Sequence, residues 1–423
     1  MSTMIPSIAH DIAWLENKHY PEMLTGFFRD ALLKKMRGIQ TGCAIIEDRN
    51  SRYVLGDLHS ELKTTIRVHN RQFYPLLVLR GSLGAAESYI RGYWSTDDLV
   101  TVFRILLRNL DTLTGLEKGM ARLMRPVQKI HYAMKSNTLK GSKKNILAHY
   151  DLSNDFYKLF LDESMTYSAG IFTTPDTTLE EAQYEKLDRL CRKLNLQPHD
   201  QVLEIGTGWG SLALHAATHY GCHVTTTTIS DAQYTLAKER IEAAGLTDKI
   251  TLLKQDYRQL EGQYDKLVSI EMIEAVGHKY IPTYFQHCSR LLKPDGIMAL
   301  QGITLADQHF DTYLNTIDFI KKYVFPGACL ISQQHVLQVL KDKTDLRVVH
   351  LEDIALDYAK TLKIWRERFF ENIEAVKNLG FSEAFIRLWE FYLTYCEGGF
   401  REQYIGDIQL VLAKSGNVNL KIN

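Results

Sequence analysis

The run Gln201-Val-Leu-Glu-Ile-Gly-Thr-Gly-Trp-Gly-Ser-Leu-Ala-Leu-His-Ala constrains this chain more than any other segment. A short apolar strand passes into glycines at 206, 208 and 210, then into apolar positions at helical spacing. Glycine permits positive φ and lets a ligand approach the backbone, with the amides of a helix start facing it. An α/β domain opens a nucleotide-sized site in this way at the carboxyl end of its first strand. The spacing is Gly-x-Gly-x-Gly and not the Gly-x-Gly-x-x-Gly of dinucleotide binders. With Glu204 just ahead of Gly206, Gly208 and Gly210, the segment reads as an S-adenosylmethionine loop. Its bland alternative is a tight strand-to-helix turn.

From residue 149 onward, strand and helix patterns alternate as in a largely parallel sheet. The expected strands are Gln201–Ile205, His223–Ile229, Ile250–Lys254, Lys266–Ile270 and Gly296–Gly302, with helices starting near Ser211, Asp231 and Tyr280. Residues 333–420 are expected to be mainly helical, broken by the glycines at 398 and 399. Residues 1–115 form a smaller α+β unit. Met23 to Met36 is read as a helix, Ala44-Ile-Ile and Thr65 to His69 as strands, and Phe73 to Arg80 as a further strand ended by Gly81-Ser-Leu-Gly. Ala85 to Tyr93 and Asp97 to Asn109 have helical spacing. Between the two units, residues 116–148 form a basic linker. Lys118, Arg122, Arg125, Lys129, Lys135, Lys140, Lys143 and Lys144 occur there without an acidic residue, and the first four share one face of a helix that Pro126 would kink.

At 423 residues the chain is long for a single core. Lys plus Arg and Asp plus Glu both number 50, so the formal net charge is zero and any anionic partner must be met by a local basic patch. The six cysteines are scattered with no Cys-x-x-Cys pair, which predicts reduced thiols in a cytoplasmic protein and no metal site. No signal peptide is expected at Met1 to Pro6, and no apolar run is long enough to span a bilayer.

Gln233, at the start of a helix after the second strand, offers two-ended hydrogen bonding to a ribose, beside the plainer reading of Ser230 or Asp231 as an N-cap. Asp256 and Tyr257 follow the third strand, where an adenine would lie. Glu271-Met-Ile-Glu274-Ala-Val-Gly-His278 follows the fourth, and two carboxylates three apart beside a histidine are where a base is sought. A capped helix start with solvated side chains is the alternative.

Six segments together resemble the cyclopropane fatty acid synthase family: His149 to Asp155, Met165-Thr-Tyr-Ser168, Val202 to Gly210, Glu271 to Gly277, Lys322 to Gly327 and Tyr392 to Cys396. Arg80 to Tyr89 resembles the family's amino-terminal domain, so the likeness covers nearly the whole chain. It implies an α/β fold: a Rossmann-like class I methyltransferase domain over 149–423, with a mainly parallel sheet and helical cover, behind a lipid-binding domain over 1–115. It implies transfer from S-adenosylmethionine to the double bond of a phospholipid acyl chain, on a peripheral membrane surface at the cytoplasmic face. A homodimer is the protein partner to look for, and the other partner expected is lipid and not nucleic acid. Cofactor contacts carried over are Tyr167, Ser168, Gly206, Gly208, Thr228, Gln233, Tyr257 and Arg258.

The family's site also holds a bicarbonate ion, proposed as the base. Its matching positions are Glu274, Ile303 and Tyr358, together with Ala169 and Gln301, where the family has cysteine and histidine. Those two departures are expected to weaken bicarbonate binding. Cys396 matches a family cysteine. Tyr313, Phe319, Tyr323, Phe325 and Trp365 are candidate walls for the acyl pocket. The alternatives are a methyl-branched or methylene product, a small-molecule methyltransferase, or a lipid-surface binding protein with a vestigial cofactor fold.

Overall fold

A computed structural model describes residues 19–111 and 152–418. The basic segment Lys118 to Lys144 and residues 149–151 of the family motif lie outside the described residues. The chain divides into two units.

The larger unit is built on a seven-stranded sheet. Its strands in chain order are β5 (Gln201–Ile205), β6 (His223–Thr227), β7 (Ile250–Leu253), β8 (Tyr264–Ile270), β9 (Leu292–Leu305), β10 (Arg347–Asp353) and β11 (Ile405–Ala413). Across the sheet they run β10-β11-β9-β8-β5-β6-β7. β5, β6, β7, β8 and β9 are mutually parallel, whereas β11 runs antiparallel to both β9 and β10. The central strands bury apolar side chains on both faces, because helices cover each side of the sheet. One core layer joins Leu203, Leu267, Met298 and Leu410 to Phe285, and the opposite layer joins Val202, Val268, Ala299 and Val411 to Leu190 and Ala216. Strand order reverses between β5 and β8, the place where an open α/β sheet leaves a crevice at its carboxyl ends.

The smaller unit carries a four-stranded sheet, β2-β1-β3-β4, from β1 (Cys43–Asp48), β2 (Ser51–Gly56), β3 (Lys63–Val68) and β4 (Trp94–Thr96). Its helices include Glu22–Met36, Phe73–Ile90 and Leu99–Arg108. Three expectations are corrected here. Phe73 to Arg80 is helical, the first half of Phe73–Ile90, which kinks at Gly81 (φ 58°). An unbroken apolar run that short does not reveal its period, so strand and helix read alike.

The second correction concerns residues 333–420, which contain β10 and β11 as well as helices. Gly398 and Gly399 do not break the helix Glu383–Arg401. A Cβ at Gly398 would stand 2.8 Å from the Cβ of Phe103, so the missing side chain serves close helix packing. The third concerns domain limits, for the units are not collinear with the chain. Residues 315–326 and 369–404 group with the amino-terminal residues, not with the rest of 149–423. Side-chain chemistry explains it. Buried Glu87 accepts from Lys322 Nζ at 2.9 Å and Tyr323 OH at 2.8 Å, while Glu402 holds Arg104 and Arg108 at 2.6 Å each. Phe391 packs on Phe103 and Phe319 with centroids 5.0 and 4.8 Å apart.

Candidate functional site: a cofactor pocket with an acid cluster in its wall

The pocket of the larger unit lies at the carboxyl ends of β5, β6, β7 and β8. Gly206, Gly208, Thr228, Gln233, Tyr257, Arg258, Tyr167, Ser168 and Glu204 all line it. Gly206 (φ +105°) and Gly208 (φ +54°) take backbone angles that side-chain-bearing residues avoid, and a Cβ at Gly208 would meet nothing within 4 Å. The loop therefore presents bare backbone to open space. Its amides are not all turned to that space, since those of Gly206 and Thr207 both donate to the Thr227 carbonyl, at 3.1 and 3.0 Å. Gly210 does not line the pocket. It begins the helix Ser211–Tyr220 with φ +92° and packs on Ala237.

Gln233 is both capped backbone and pocket wall. Its backbone amide donates to Ser230 Oγ at 3.3 Å, and its Oε1 accepts from Thr228 Oγ1 at 2.9 Å, which turns the carboxamide to a fixed orientation. Asp256 caps the turn that follows, and its carboxylate is taken by the fork of Arg258 at 2.8 and 2.6 Å. Arg258 also lies 5.5 Å over the Tyr257 ring and 5.6 Å over Tyr280. Asp256, the expected acceptor for an adenine amine, thus serves first to orient Arg258.

The segment Met165 to Ser168 closes another side. Asp162 accepts from the amides of Ser164 and Thr166, Met165 takes φ +59°, and Arg240 holds the Ser164 and Trp209 carbonyls. Tyr167 stacks on Trp365 with centroids 5.1 Å apart, and Trp365 meets Tyr358 edge-on at 6.2 Å. Lys186, which sequence reasoning missed, is wholly buried in the pocket wall and donates to Ser168 Oγ at 2.6 Å. Burial lowers its pKa to about 8 against the opposing pull of Glu271, Asp162, Asp407 and Glu204. Burial raises Glu204 to about 8, although Thr226 Oγ1 donates to it at 2.6 Å.

The acid cluster stands at the ends of β8, β9 and β11. Glu271, in the pocket lining, takes φ +45°. Its Oε1 accepts from the Ala169 amide at 2.9 Å and Gln301 Nε2 at 2.8 Å, and its Oε2 from Tyr358 OH at 2.7 Å. Glu271 is half-buried and lines the pocket. Glu274 is buried, with Oε1 on the Ile303 amide at 2.5 Å. Its Oε2 has no partner among the described residues. Asp407, fully buried, accepts from Gln301 Nε2 at 3.0 Å, and Gln409 Nε2 donates to Gln301 Oε1 at 3.1 Å. Register explains the grouping: on β11 and β9, Asp407 faces Ile303 and Gln409 faces Gln301.

These acids do not titrate alike. Burial pushes Asp407 far up, reinforced by the charges of Glu271 and Glu274. Burial, then the Glu271 charge, raises Glu274 to about 8. Glu271 is also raised by burial, but the Tyr358 hydroxyl, the Ala169 amide, Lys186 and Gln301 all oppose the rise. All three are raised, and Glu271 is the member whose rise is opposed by the most donors together with a cation.

Glu274, Gln301, Ile303 and Tyr358 are thus brought together as the resemblance implied. Bicarbonate does not fit among them. The Ala169 amide, Gln301 Nε2 and Tyr358 OH are taken by Glu271, and the Ile303 amide is taken by Glu274. Cys396 lies in the smaller unit, half-buried on Glu383–Arg401, its thiol pKa raised by burial and then by Asp318. Phe319, Tyr323 and Phe325 belong to that unit too, whereas Trp365 stands beside Tyr358. His278 packs on His335 and Phe310 at 4.6 and 5.8 Å. Asp407 was also missed; the signal available was a carboxylate and an amide, Asp407 and Gln409, set at strand spacing in an otherwise apolar run.

A sheet of this order, with a glycine-loop pocket at its switch point, defines a class I S-adenosylmethionine-dependent methyltransferase. A family profile described as Mycolic acid cyclopropane synthetase matches residues 137–410, and the chain belongs to that family. It is 40% identical over 343 residues to Tuberculostearic acid methyltransferase UfaA1 of Mycobacterium tuberculosis, covering 79% of this chain and 80% of that one. It is 37% identical over 359 residues to Cyclopropane-fatty-acyl-phospholipid synthase of Escherichia coli, covering 84% and 90%. Among solved structures, the mycolic acid cyclopropane synthase CmaA1 complexed with SAH and CTAB is 32% identical with a TM-score of 0.60, over 64% of this chain and 98% of that one. Among the described residues, no helix is long and apolar enough to cross a membrane.

Proposed function

We propose that this enzyme methylates the double bond of an unsaturated phospholipid acyl chain and closes the product to a cyclopropane. One observation carries the reading: the glycine loop and the Glu271 carboxylate line the same cavity. S-adenosylmethionine, bound by Gly206, Gly208, Thr228, Gln233, Tyr257, Arg258, Tyr167 and Ser168, supplies an electrophilic methyl group. An alkene is a weak nucleophile with nothing to ionise, so the protein's work is to position it and keep water out. Tyr167, in the pocket lining and backed by the Trp365 ring, offers an aromatic face that stabilises a cation without adding to it. Glu274, Gln301, Ile303 and Tyr358 frame the side where a proton must leave.

A second reading has an observation of its own, the 40% identity to a protein named as a methyltransferase. If a hydride shifts to the cationic carbon first, loss of a proton from the new methyl gives a methylene group instead of a ring. One base serves both outcomes. The test is turnover of vesicles of a monounsaturated phospholipid with the methyl donor, read by mass spectrometry and proton NMR of the lipid. Acyl chains heavier by one CH2 with high-field ring protons support the cyclopropane, olefinic methylene protons support the second reading, and unchanged lipid refutes both.

Because phospholipid acyl chains do not diffuse through water, docking on the inner membrane surface belongs to the same proposal. The segment Lys118 to Lys144 is its proposed site, and exposed Met23 and Phe27 on Glu22–Met36, at 82% and 64% exposure, support contact with lipid. Charge reversal at Arg122, Arg125 and Lys129 is expected to lower sedimentation with anionic vesicles, by about 1 kcal/mol per basic side chain lost from the surface. Equal binding at low salt by both proteins contradicts the docking proposal.

A further inference from the structure

We infer that the Glu271 carboxylate is itself the catalytic base, occupying the place and the hydrogen bonds of a bound bicarbonate. The inference rests on the methylation reading above and sharpens it.

Three positions that the family resemblance assigns to the anion, Ala169, Gln301 and Tyr358, converge instead on one side chain, at 2.9, 2.8 and 2.7 Å. Carboxylate and bicarbonate share a planar O–C–O group, so donors arranged for one satisfy the other. The two departures from the family fit a built-in acceptor. Position 169 needs only its backbone amide, and Gln301 uses its carboxamide to donate to Glu271 and Asp407 while accepting from Gln409. A neutral amide there does this without adding a titratable ring.

The backbone gives a separate indication. Glu271 holds φ +45°, a region costly for a residue with a side chain, and it does so at the wall of the pocket. Strain of that kind is retained where the side chain is needed in one place. The neighbouring acids support the same assignment: the Glu271 charge adds to the rise that burial causes at Asp407 and Glu274, whereas at Glu271 the Tyr358, Ala169 and Gln301 donors and Lys186 oppose it.

The step balances without a co-reactant. After methyl transfer the acyl chain is a carbocation. A C–H bond of the new methyl breaks, its electron pair forms the third bond of the ring, and the proton goes to a Glu271 oxygen. The protonated carboxyl returns its proton to water when product leaves.

Two variants and the unaltered enzyme test this, with vesicle turnover measured in carbon-dioxide-free buffer and again with added bicarbonate. The unaltered enzyme is expected to be equally active in both. Glu271→Gln, which fills the same space without basicity, should lose roughly two to four orders of magnitude in kcat and gain nothing from bicarbonate. Glu271→Gly, relieved of its backbone strain, should be inactive alone, recover turnover with bicarbonate, and bind carbon-13-labelled bicarbonate by NMR where the unaltered enzyme does not. A strong bicarbonate requirement or bicarbonate binding in the unaltered enzyme, or full activity in Glu271→Gln, overturns the inference. If Glu271→Gly fails to fold, the other two proteins still decide the question. Failure of the methylation reading looks different: the unaltered enzyme would turn over no unsaturated lipid under either condition, while the NMR measurement still reports on the carboxylate.

Discussion

The two walls of the pocket are built on different terms. The cofactor wall is mainly backbone: glycines at positive φ, a loop tied to β6 through the Thr227 carbonyl, and a helix start, all within a dozen consecutive residues. The acid wall reaches the pocket through Glu271 alone, and behind it stand side chains and an amide from positions 169, 274, 301, 358 and 407, held by mutual hydrogen bonds and by the β9–β11 register. Backbone geometry tolerates almost any neighbour but no side chain in its own place. A buried acid cluster is the reverse. Each member sets the charge of the others, so one substitution changes the whole set.

The largest expected effect on donor binding falls on the backbone wall. Gly208→Val would require a branched side chain at φ +54° and would fill the open space before it. Donor affinity by calorimetry should fall more than roughly 100-fold, about 3 kcal/mol, with the fold retained. Unchanged affinity would place the cofactor elsewhere. On the acid wall the sharper question is which carboxylate works. Glu274→Gln keeps an oxygen for the Ile303 amide, so kcat should fall only about tenfold or less, far less than in Glu271→Gln. A reversed order would make Glu274 the base.

The cofactor wall was legible because its signal is contiguous. The strand β5, the glycines and the following helix stand in one stretch, and only the detail of Gly210, a helix start and not a pocket residue, needed coordinates. The acid wall was half legible. Glu271 and Glu274 share a motif, but which of them carries charge depends on Ala169, Tyr358 and Asp407, whose approach no local pattern encodes. Lys186 was not singled out, because nothing in the sequence distinguishes it from the other charged residues of the helix Leu179–Lys193, yet it is buried. The domain limits were illegible for a like cause, since the partners of Glu87 at 322 and 323 lie far along the chain.

A pH measurement separates the walls again, with a smaller effect. The pKa of Glu274 is raised from 4.5 to about 8, so the folded protein holds a proton that the unfolded chain has lost in that interval. Stability contributed at this site therefore falls as pH rises from about 4.5 to about 8 and stays low above it. Glu274→Gln removes the titration, so its melting temperature relative to the unaltered protein should climb by a few degrees across that window. A constant difference would mean that Glu274 is ionised throughout. The smallest effect is expected for Arg258→Lys, which gives up the fork on Asp256 but keeps the charge; donor affinity should weaken about fivefold, close to 1 kcal/mol.

The central claim is that one cavity both delivers a methyl group to an alkene and removes a proton from that same methyl. A donor carrying a fully deuterated methyl tests it directly. The account predicts a lipid product that retains two of the three deuterium atoms, whether ring or methylene, because the third has gone to the base. A product that keeps all three would mean that the proton leaves from the acyl chain itself, and the carboxylate in the pocket wall would lose its role.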